Sequence, residues 1–277
     1  MVKCHPTTAL VTGAYRGIGF ATAKLFAQEG ANVVVNARHK DKLEEAVKEI
    51  QAVAKGGSVI GYLADVSDHR QVNAMFDRIY DELGRCDYLV NNAAIDDSEP
   101  FLTASDEWWH SHMSVNLDSA FFACQRAARG MIERGEGGSI VNLSSIAATQ
   151  AHRNSVAYDT TKGGIEAFTR ALALEVAPWN IRVNAISPAA VVGFFVKQRD
   201  EQELKERPLE KFDTPLPMQG TPEDCANLIC FLCSEEARFI TGQAVYIDGG
   251  LSAQCRPYCM SPLMLNPSNF EQKGWKF

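Results

Sequence analysis

Thr8-Ala9-Leu10-Val11-Thr12-Gly13-Ala14-Tyr15-Arg16-Gly17-Ile18-Gly19 is the stretch that decides the fold. Thr8 to Thr12 is a short run of apolar and β-branched residues, the composition of a buried strand. Glycines follow at Gly13, Gly17 and Gly19, and the residues from Gly17 to Glu29 take up a helical period. Gly30 closes that helix, as a glycine just past the last turn commonly does. A strand passing through a glycine turn into a helix leaves free N–H groups and a positive dipole end facing the turn. A pyrophosphate can then approach the backbone closely. Glycine spacing alone would suit any tight turn. The strand before it and the helix after it make Gly13, Tyr15, Arg16, Gly17, Ile18 and Gly19 candidate nucleotide-binding residues.

The same alternation runs outward from there. Asn32 to Asn36 reads as a second strand, followed by a helix through Leu43, Val47 and Ile50. Further strands are expected at Val59–Ala64, Tyr88–Asn91, Ser139–Leu143, Arg182–Ile186 and Ala244–Ile247. Long helices are expected from about Ser105 to Arg134 and from Ser155 to Ala177. Strands alternating with helices predict an α/β, Rossmann-type doubly wound parallel sheet of about seven strands with helices on both faces. No repeat or linker divides the chain, so residues 1–277 are expected to form a single dinucleotide-binding catalytic domain. Two stretches lack a clear period. Residues 188–222, dense in proline and charge, are expected to form a substrate lid; residues 251–277 form a C-terminal tail.

Composition narrows the function. The net charge of −7 argues against a nucleic-acid partner, which needs a clustered basic face. No apolar run reaches the roughly 18–20 residues of a membrane span, and the N-terminus lacks a secretory signal. A cytoplasmic location is the expectation. The eight cysteines are then expected as thiols rather than a disulfide framework. Cys225, Cys230 and Cys233 fall on an apolar stripe, and no companion pair completes a zinc set for Cys230-x-x-Cys233. His110-x-His112, beside Trp108 and Trp109, reads as packing or interface, so no metal is expected. The sequon at Asn142 lies in an expected buried strand.

The end of the second strand should meet the adenosine ribose, where a carboxylate selects NAD and a basic residue accepts the 2′-phosphate of NADP. This chain has Asn36-Ala37-Arg38 there, with Arg16 in the turn itself. Two guanidiniums converging on a phosphate favour NADP(H), with NAD as the alternative.

Tyr158-Asp159-Thr160-Thr161-Lys162 places a phenol and an ammonium one helical turn apart, on one face. A phenol near its reference pKa of about 10 is a poor base at neutral pH, and a nearby ammonium is expected to favour the phenolate. The bare pair is common by chance, but this one follows a strand ending in Ser144-Ser145.

The ordered set of motifs resembles the short-chain dehydrogenase/reductase family, in its single-domain branch. The matches are Thr12-Gly13-x-x-x-Gly17-Ile18-Gly19, Asp65-Val66, Asn91-Asn92-Ala93-Ala94, Asn116, Ser145, Tyr158-x-x-x-Lys162, Asn184 with Ser187-Pro188, and Thr241-Gly242-Gln243 leading to Asp248-Gly249-Gly250. The resemblance implies an oxidoreductase interconverting a ketone or aldehyde with an alcohol. Tyr158 would be the general acid/base, Lys162 would hold the nicotinamide ribose, and Ser145 would donate to the substrate oxygen. Asn116 would hold a water toward Lys162. Asp65 and Val66 would flank the adenine and Asn92 would lie near its ribose; Pro188 and the backbone of Val191 would meet the carboxamide. It also implies a homo-oligomer, tetramer or dimer, through the helices containing Asn116 and Tyr158. The chain departs from the pattern at Ala94, Ala189 and Gly193, which puts its nicotinamide and loop contacts in question.

Two other classes fit the sequence less well. A non-catalytic NADP-binding protein would break the Ser145, Tyr158, Lys162 set, which is whole. An epimerase or dehydratase on this fold would show another glycine spacing and a larger C-terminal region. Gln150, His152 and Arg153 either face the substrate or form a surface loop; Arg153 or His152 in the pocket would suit an anionic substrate.

Overall fold

The computed structural model describes residues 7–189, 191–192 and 214–254. Seven strands make one parallel sheet: β1 (Thr8–Val11), β2 (Asn32–Ala37), β3 (Val59–Leu63), β4 (Tyr88–Asn91), β5 (Gly138–Leu143), β6 (Ile181–Pro188) and β7 (Ala244–Ile247). Their order across the sheet is β3-β2-β1-β4-β5-β6-β7. The main helices are α1 (Gly17–Gln28), α2 (Lys40–Gln51), α3 (His69–Leu83), α4 (Asp106–His112), α5 (Ser119–Arg134), α6 (Val156–Val176) and α7 (Pro222–Cys233).

Successive residues of a strand point to opposite faces, so each strand feeds two cores. Ala9, Val11, Val33 and Val35 join Phe26, Leu43, Ile50 and Ile229 from α1, α2 and α7. Leu10, Val34, Leu89 and Ile140 join Phe76, Ile79, Met131 and Val176 from α3, α5 and α6. Strands covered on both faces need side chains that are apolar all round, which is why they read as continuous Val/Ile/Leu runs. Cys225, Cys230 and Cys233 are buried on the inner stripe of α7, packed as small apolar groups.

The helix expected from Ser105 to Arg134 is not regular throughout. Between α4 and α5 the chain takes a π-helical stretch, Met113–Asp118, in which Ser119 N–H reaches back to Ser114 O. The extra residue in that turn directs Asn116 inward, where it is buried and bonded to the backbone of Ile95 in both directions. π-bulges of this kind commonly mark functional positions.

The chain starts at the centre of the sheet, builds outward to β3, then returns to place β4 on the other side of β1. Ligands in such sheets bind where that direction reverses, past the C-terminal ends of the strands. Here that point lies between the turns that follow β1 and β4. At the opposite end, Asp87 accepts from Thr8 N–H (2.7 Å) and from Arg85 and Arg134 (both 2.8 Å), fixing β4 against β1.

Of the expected lid over 188–222, residues 190 and 193–213 lie outside the described residues, as does the tail from 255 onward.

Candidate active site

The glycine turn and the turn after β4 are built as one unit. Thr12 Oγ1 accepts from the N–H groups of Asn92 (3.0 Å) and Ala93 (3.1 Å). The Asn92 amide donates back to the carbonyls of Thr12 (2.9 Å) and Gly13 (3.1 Å). Gly13 takes φ +62°, and a Cβ there would sit 2.9 Å from Ala93 Cα. At Gly19 a Cβ would collide with the Asn92 amide, so glycine lets α1 close against the β4 turn. Asn36 holds the other side, donating to Tyr62 O (3.2 Å) and Ala64 O (3.0 Å).

These turns wall a cleft of about 770 Å³. Of the residues expected to bind a nucleotide, it brings together Gly13, Tyr15, Arg16, Gly17, Ile18, Arg38, Asp65, Val66, Asn92 and Tyr158. Gly19 lies behind the turn. Pro188 ends β6, and Val191 bridges Gly220, both outside the cleft lining. The first turn of α1 has no side-chain cap, because Arg16 occupies the N-cap position with extended backbone. Its free N–H groups suit a bound anion. Arg16 stacks over Tyr15 (5.2 Å to the ring centroid) and, with Arg38, lines the cleft. The cleft fits a dinucleotide: its lining holds an uncapped helix terminus, two cations and a phenol. Asn92 lines the cleft while its amide shapes the turn.

Tyr158 and Lys162 lie on one face of α6, the ammonium 5.4 Å from the phenol ring centroid. Lys162 is 3% exposed and donates to Leu143 O at 2.7 Å. Ser145 stands beside Tyr158 and favours its phenolate, and Ser145 Oγ accepts from Ala147 N–H at 3.2 Å. The expected lowering of the phenol pKa by Lys162 is not found in this state. Burial pushes Tyr158 up to about 12; the Ser145 hydroxyl opposes that shift, and Asp96 and Asp159 add to it. The physical reason is that burial, the largest cause, disfavours the charged phenolate. Burial in turn brings Lys162 down from 10.5 to about 8, with Asp96 opposing. Asn116 is 3% exposed; beyond Ile95 it donates to Thr161 Oγ1 at 3.2 Å. Its side chain therefore ties the β4 loop to α6, next to Lys162.

A model of the family described as enoyl-(acyl carrier protein) reductase matches residues 13–252. The 3-oxoacyl-[acyl-carrier-protein] reductase FabG of Thermotoga maritima is 36% identical over 252 residues, covering 90% of this chain and 99% of that protein. An uncharacterized oxidoreductase of Bacillus subtilis, YxbG, is 36% identical over 263 residues, covering 93% and 95%. A short-chain type dehydrogenase/reductase from Mycobacterium marinum superposes with a TM-score of 0.82 at 33% identity, covering 91% of this chain and 98% of that one. The chain belongs to the short-chain dehydrogenase/reductase family. Like other short-chain dehydrogenase/reductases, it is an oxidoreductase acting on CH–OH and carbonyl groups with a nicotinamide dinucleotide.

Two residues of this short-chain dehydrogenase/reductase site carry no sequence signal. Asp96 lines the cleft with Tyr158. Burial raises its pKa first and the neighbouring Asp97 adds to this, while Lys162, Arg16 and His112 oppose. Glu166 is buried one turn beyond Lys162, and its Oε1 accepts from Ser187 (2.8 Å), Ser144 (3.4 Å) and Tyr246 (3.4 Å). One carboxylate thus gathers the ends of β5, β6 and β7 against α6. Neither His152 nor Arg153 lines the cleft: His152 pairs with Asp159 (N–H to Oδ2, 2.7 Å), and both residues are exposed. His112 is packed against the Trp108 ring (centroids 4.9 Å apart), and among the described residues no cluster of three metal-ligating side chains occurs.

Proposed function

We propose that this chain is an NADP(H)-dependent oxidoreductase that reduces a ketone or aldehyde to an alcohol, and runs the reverse reaction, with Tyr158 as general acid/base. The observation that carries the reading is Tyr158 in the lining of the nucleotide cleft, with the buried Lys162 over its ring and Ser145 beside it. Two hydroxyls meet there, enough to donate to one carbonyl oxygen. NADPH, when bound, supplies a hydride to the carbonyl carbon. Tyr158 gives its proton to the oxygen as the C=O π bond breaks, and Ser145 donates to that oxygen while charge builds on it. A phenol held near 12 stays protonated, ready to act as the acid. Lys162 would hold the nicotinamide ribose hydroxyls, and its cation would then favour the phenolate left behind. Asn116 would order a water toward Lys162. Asp65 and Val66 would flank the adenine; Pro188 and Val191 would meet the carboxamide.

Arg16 and Arg38 support NADP over NAD. Reduction as the working direction rests on the relatives, several of which are named 3-oxoacyl-[acyl-carrier-protein] reductases. Reduction of a C=C bond, as the family model's description would have it, is disfavoured by that pair of donors aimed at one oxygen. A cytoplasmic setting and a homo-oligomer, dimer or tetramer, complete the proposal. The half-exposed Phe121 on α5 and the exposed Leu174 on α6 offer the apolar contact for assembly, and light scattering after gel filtration reads the mass.

Tyr158→Phe is expected to lower kcat by roughly 10²–10⁴-fold while leaving NADPH binding within a few-fold, read by steady-state rates and fluorescence titration. A rate untouched by that change would remove the mechanism. Arg38→Asp is expected to weaken NADPH by about 10–100-fold, the loss of a charge-assisted phosphate contact, and NADH far less; equal losses would reverse the cofactor assignment.

A further inference from the structure

We propose that Asp96 is a substrate-recognition residue whose carboxylate accepts a hydrogen bond from a hydroxyl or ammonium carried by the substrate near its carbonyl. This rests on the carbonyl-reductase reading above and names the class of molecule that site would take.

The loop bearing Asp96 is held from one side by a ladder. Trp108, His112 and Asn116 stand four residues apart, on one face of the α4 segment and the π-helical stretch that continues it. Trp108 Nε1 donates to Asp97 O at 3.2 Å. Asn116 accepts from Ile95 N–H at 2.8 Å and donates to Ile95 O at 2.9 Å. His112 is fully buried, and its Nδ1 lies 2.9 Å from Trp108 O, a group that can only accept, so Nδ1 carries the hydrogen. Its Nε2 has no hydrogen-bond partner and lies 3.8 Å from Asp97 Oδ1. The residues on both sides of Asp96 are thus fixed, and Asp96 is presented to the cleft that holds Tyr158.

Among the described residues, no protein donor hydrogen-bonds the Asp96 carboxylate. Lys162, the nearest catalytic cation, is buried and donates to Leu143 O. Arg16 and Arg38 are the basic side chains of the cleft lining, and Arg16 acts on Asp96 through its charge, without a hydrogen bond. An acceptor held beside the reacting groups, with no hydrogen-bond donor among the described residues, has the cleft's occupant left to bond. Preorganisation of this kind converts an ordinary surface carboxylate into a selective one. Asp96 and Asp97 together also oppose a substrate carrying its own carboxylate in this position.

The test uses the full chain with NADPH and four ketones of matched length: a 1-hydroxy-2-ketone, a 1-amino-2-ketone, a 2-keto acid and the unsubstituted 2-ketone. Wild type is expected to favour the hydroxy or amino compound over the unsubstituted ketone by at least tenfold in kcat/KM. Asp96→Ala is expected to collapse that ratio at least tenfold, mostly through KM, and to improve the keto acid relative to the others. Asp96→Asn separates the two donors: an amide oxygen still accepts from a hydroxyl, so hydroxyl selectivity survives, whereas ammonium selectivity is lost. If Asp96→Ala lowers kcat/KM for all four ketones by one common factor, or if wild type shows no preference, the recognition role is overturned while the reductase reading stands. No turnover of any ketone by wild type, with Tyr158→Phe indistinguishable from it, overturns the reductase reading and this inference together.

Discussion

Lys162 holds its charge where water scarcely reaches, and that has a measurable signature. Below pH 8 the lysine is protonated in both folded and unfolded chains, and the folded state bears the full cost of burying the ammonium. Between about 8 and the ordinary 10.5 the unfolded chain keeps a proton that the folded chain has released. Stability therefore rises with pH across that window. Tyr158 acts in the opposite sense higher up, since the unfolded phenol ionises near 10 and the folded one near 12, so its contribution is lost above pH 10. The stability of wild type relative to Lys162→Met should climb from pH 8 to pH 10 in urea titrations. A constant difference would mean that the ammonium is solvated. The same residue shows what a sequence conceals. Helical spacing put Tyr158 and Lys162 on one face, but the direction of the phenol shift depends on burial and on Asp96, neither of which spacing encodes.

At the level of elements, all seven strands stand where apolar runs between turn residues place them, and the five inner ones are the plainest, because a strand buried on both faces has no polar register to hide it. The regular helix expected from Ser105 to Arg134 was interrupted for a reason outside its own sequence. The π-helical stretch follows from Asn116 reaching Ile95 in the loop after β4, a contact between segments that helical periodicity cannot report. Glu166 is similar: an acidic residue on a helix reads as solvent-facing until three hydroxyls from β5, β6 and β7 are seen to converge on it. Glu166→Leu should leave the Ser187 hydroxyl unpaired, while Ser144 keeps Lys162 O and Tyr246 keeps Thr149, and cost roughly 1–3 kcal/mol. Glu166→Gln retains an acceptor oxygen and should cost about 1 kcal/mol. Denaturation midpoints for the pair of variants, with kcat measured on the same samples, check the difference. Equal midpoints would show that the carboxylate gathers nothing.

Across the whole molecule, a nucleotide that binds only the folded chain must stabilise it. At a hundred times its Kd, NADP should add about 2.7 kcal/mol, a rise in Tm of roughly 5–10 °C for a chain of this size. NAD at the same concentration should give a smaller rise, and Arg38→Asp should erase the gap between the two. Thermal unfolding with each nucleotide reads this without any substrate, and identical shifts would count against a 2′-phosphate site.

The interlock between Thr12 and Asn92 spans 80 positions of the chain. During synthesis the glycine-rich segment therefore emerges long before the partner that gives it shape. A fragment ending ahead of β4 would contain every residue of the phosphate turn and still lack the turn. Competence to hold a nucleotide should arrive abruptly on the ribosome, when the fourth strand docks, rather than growing in with the first.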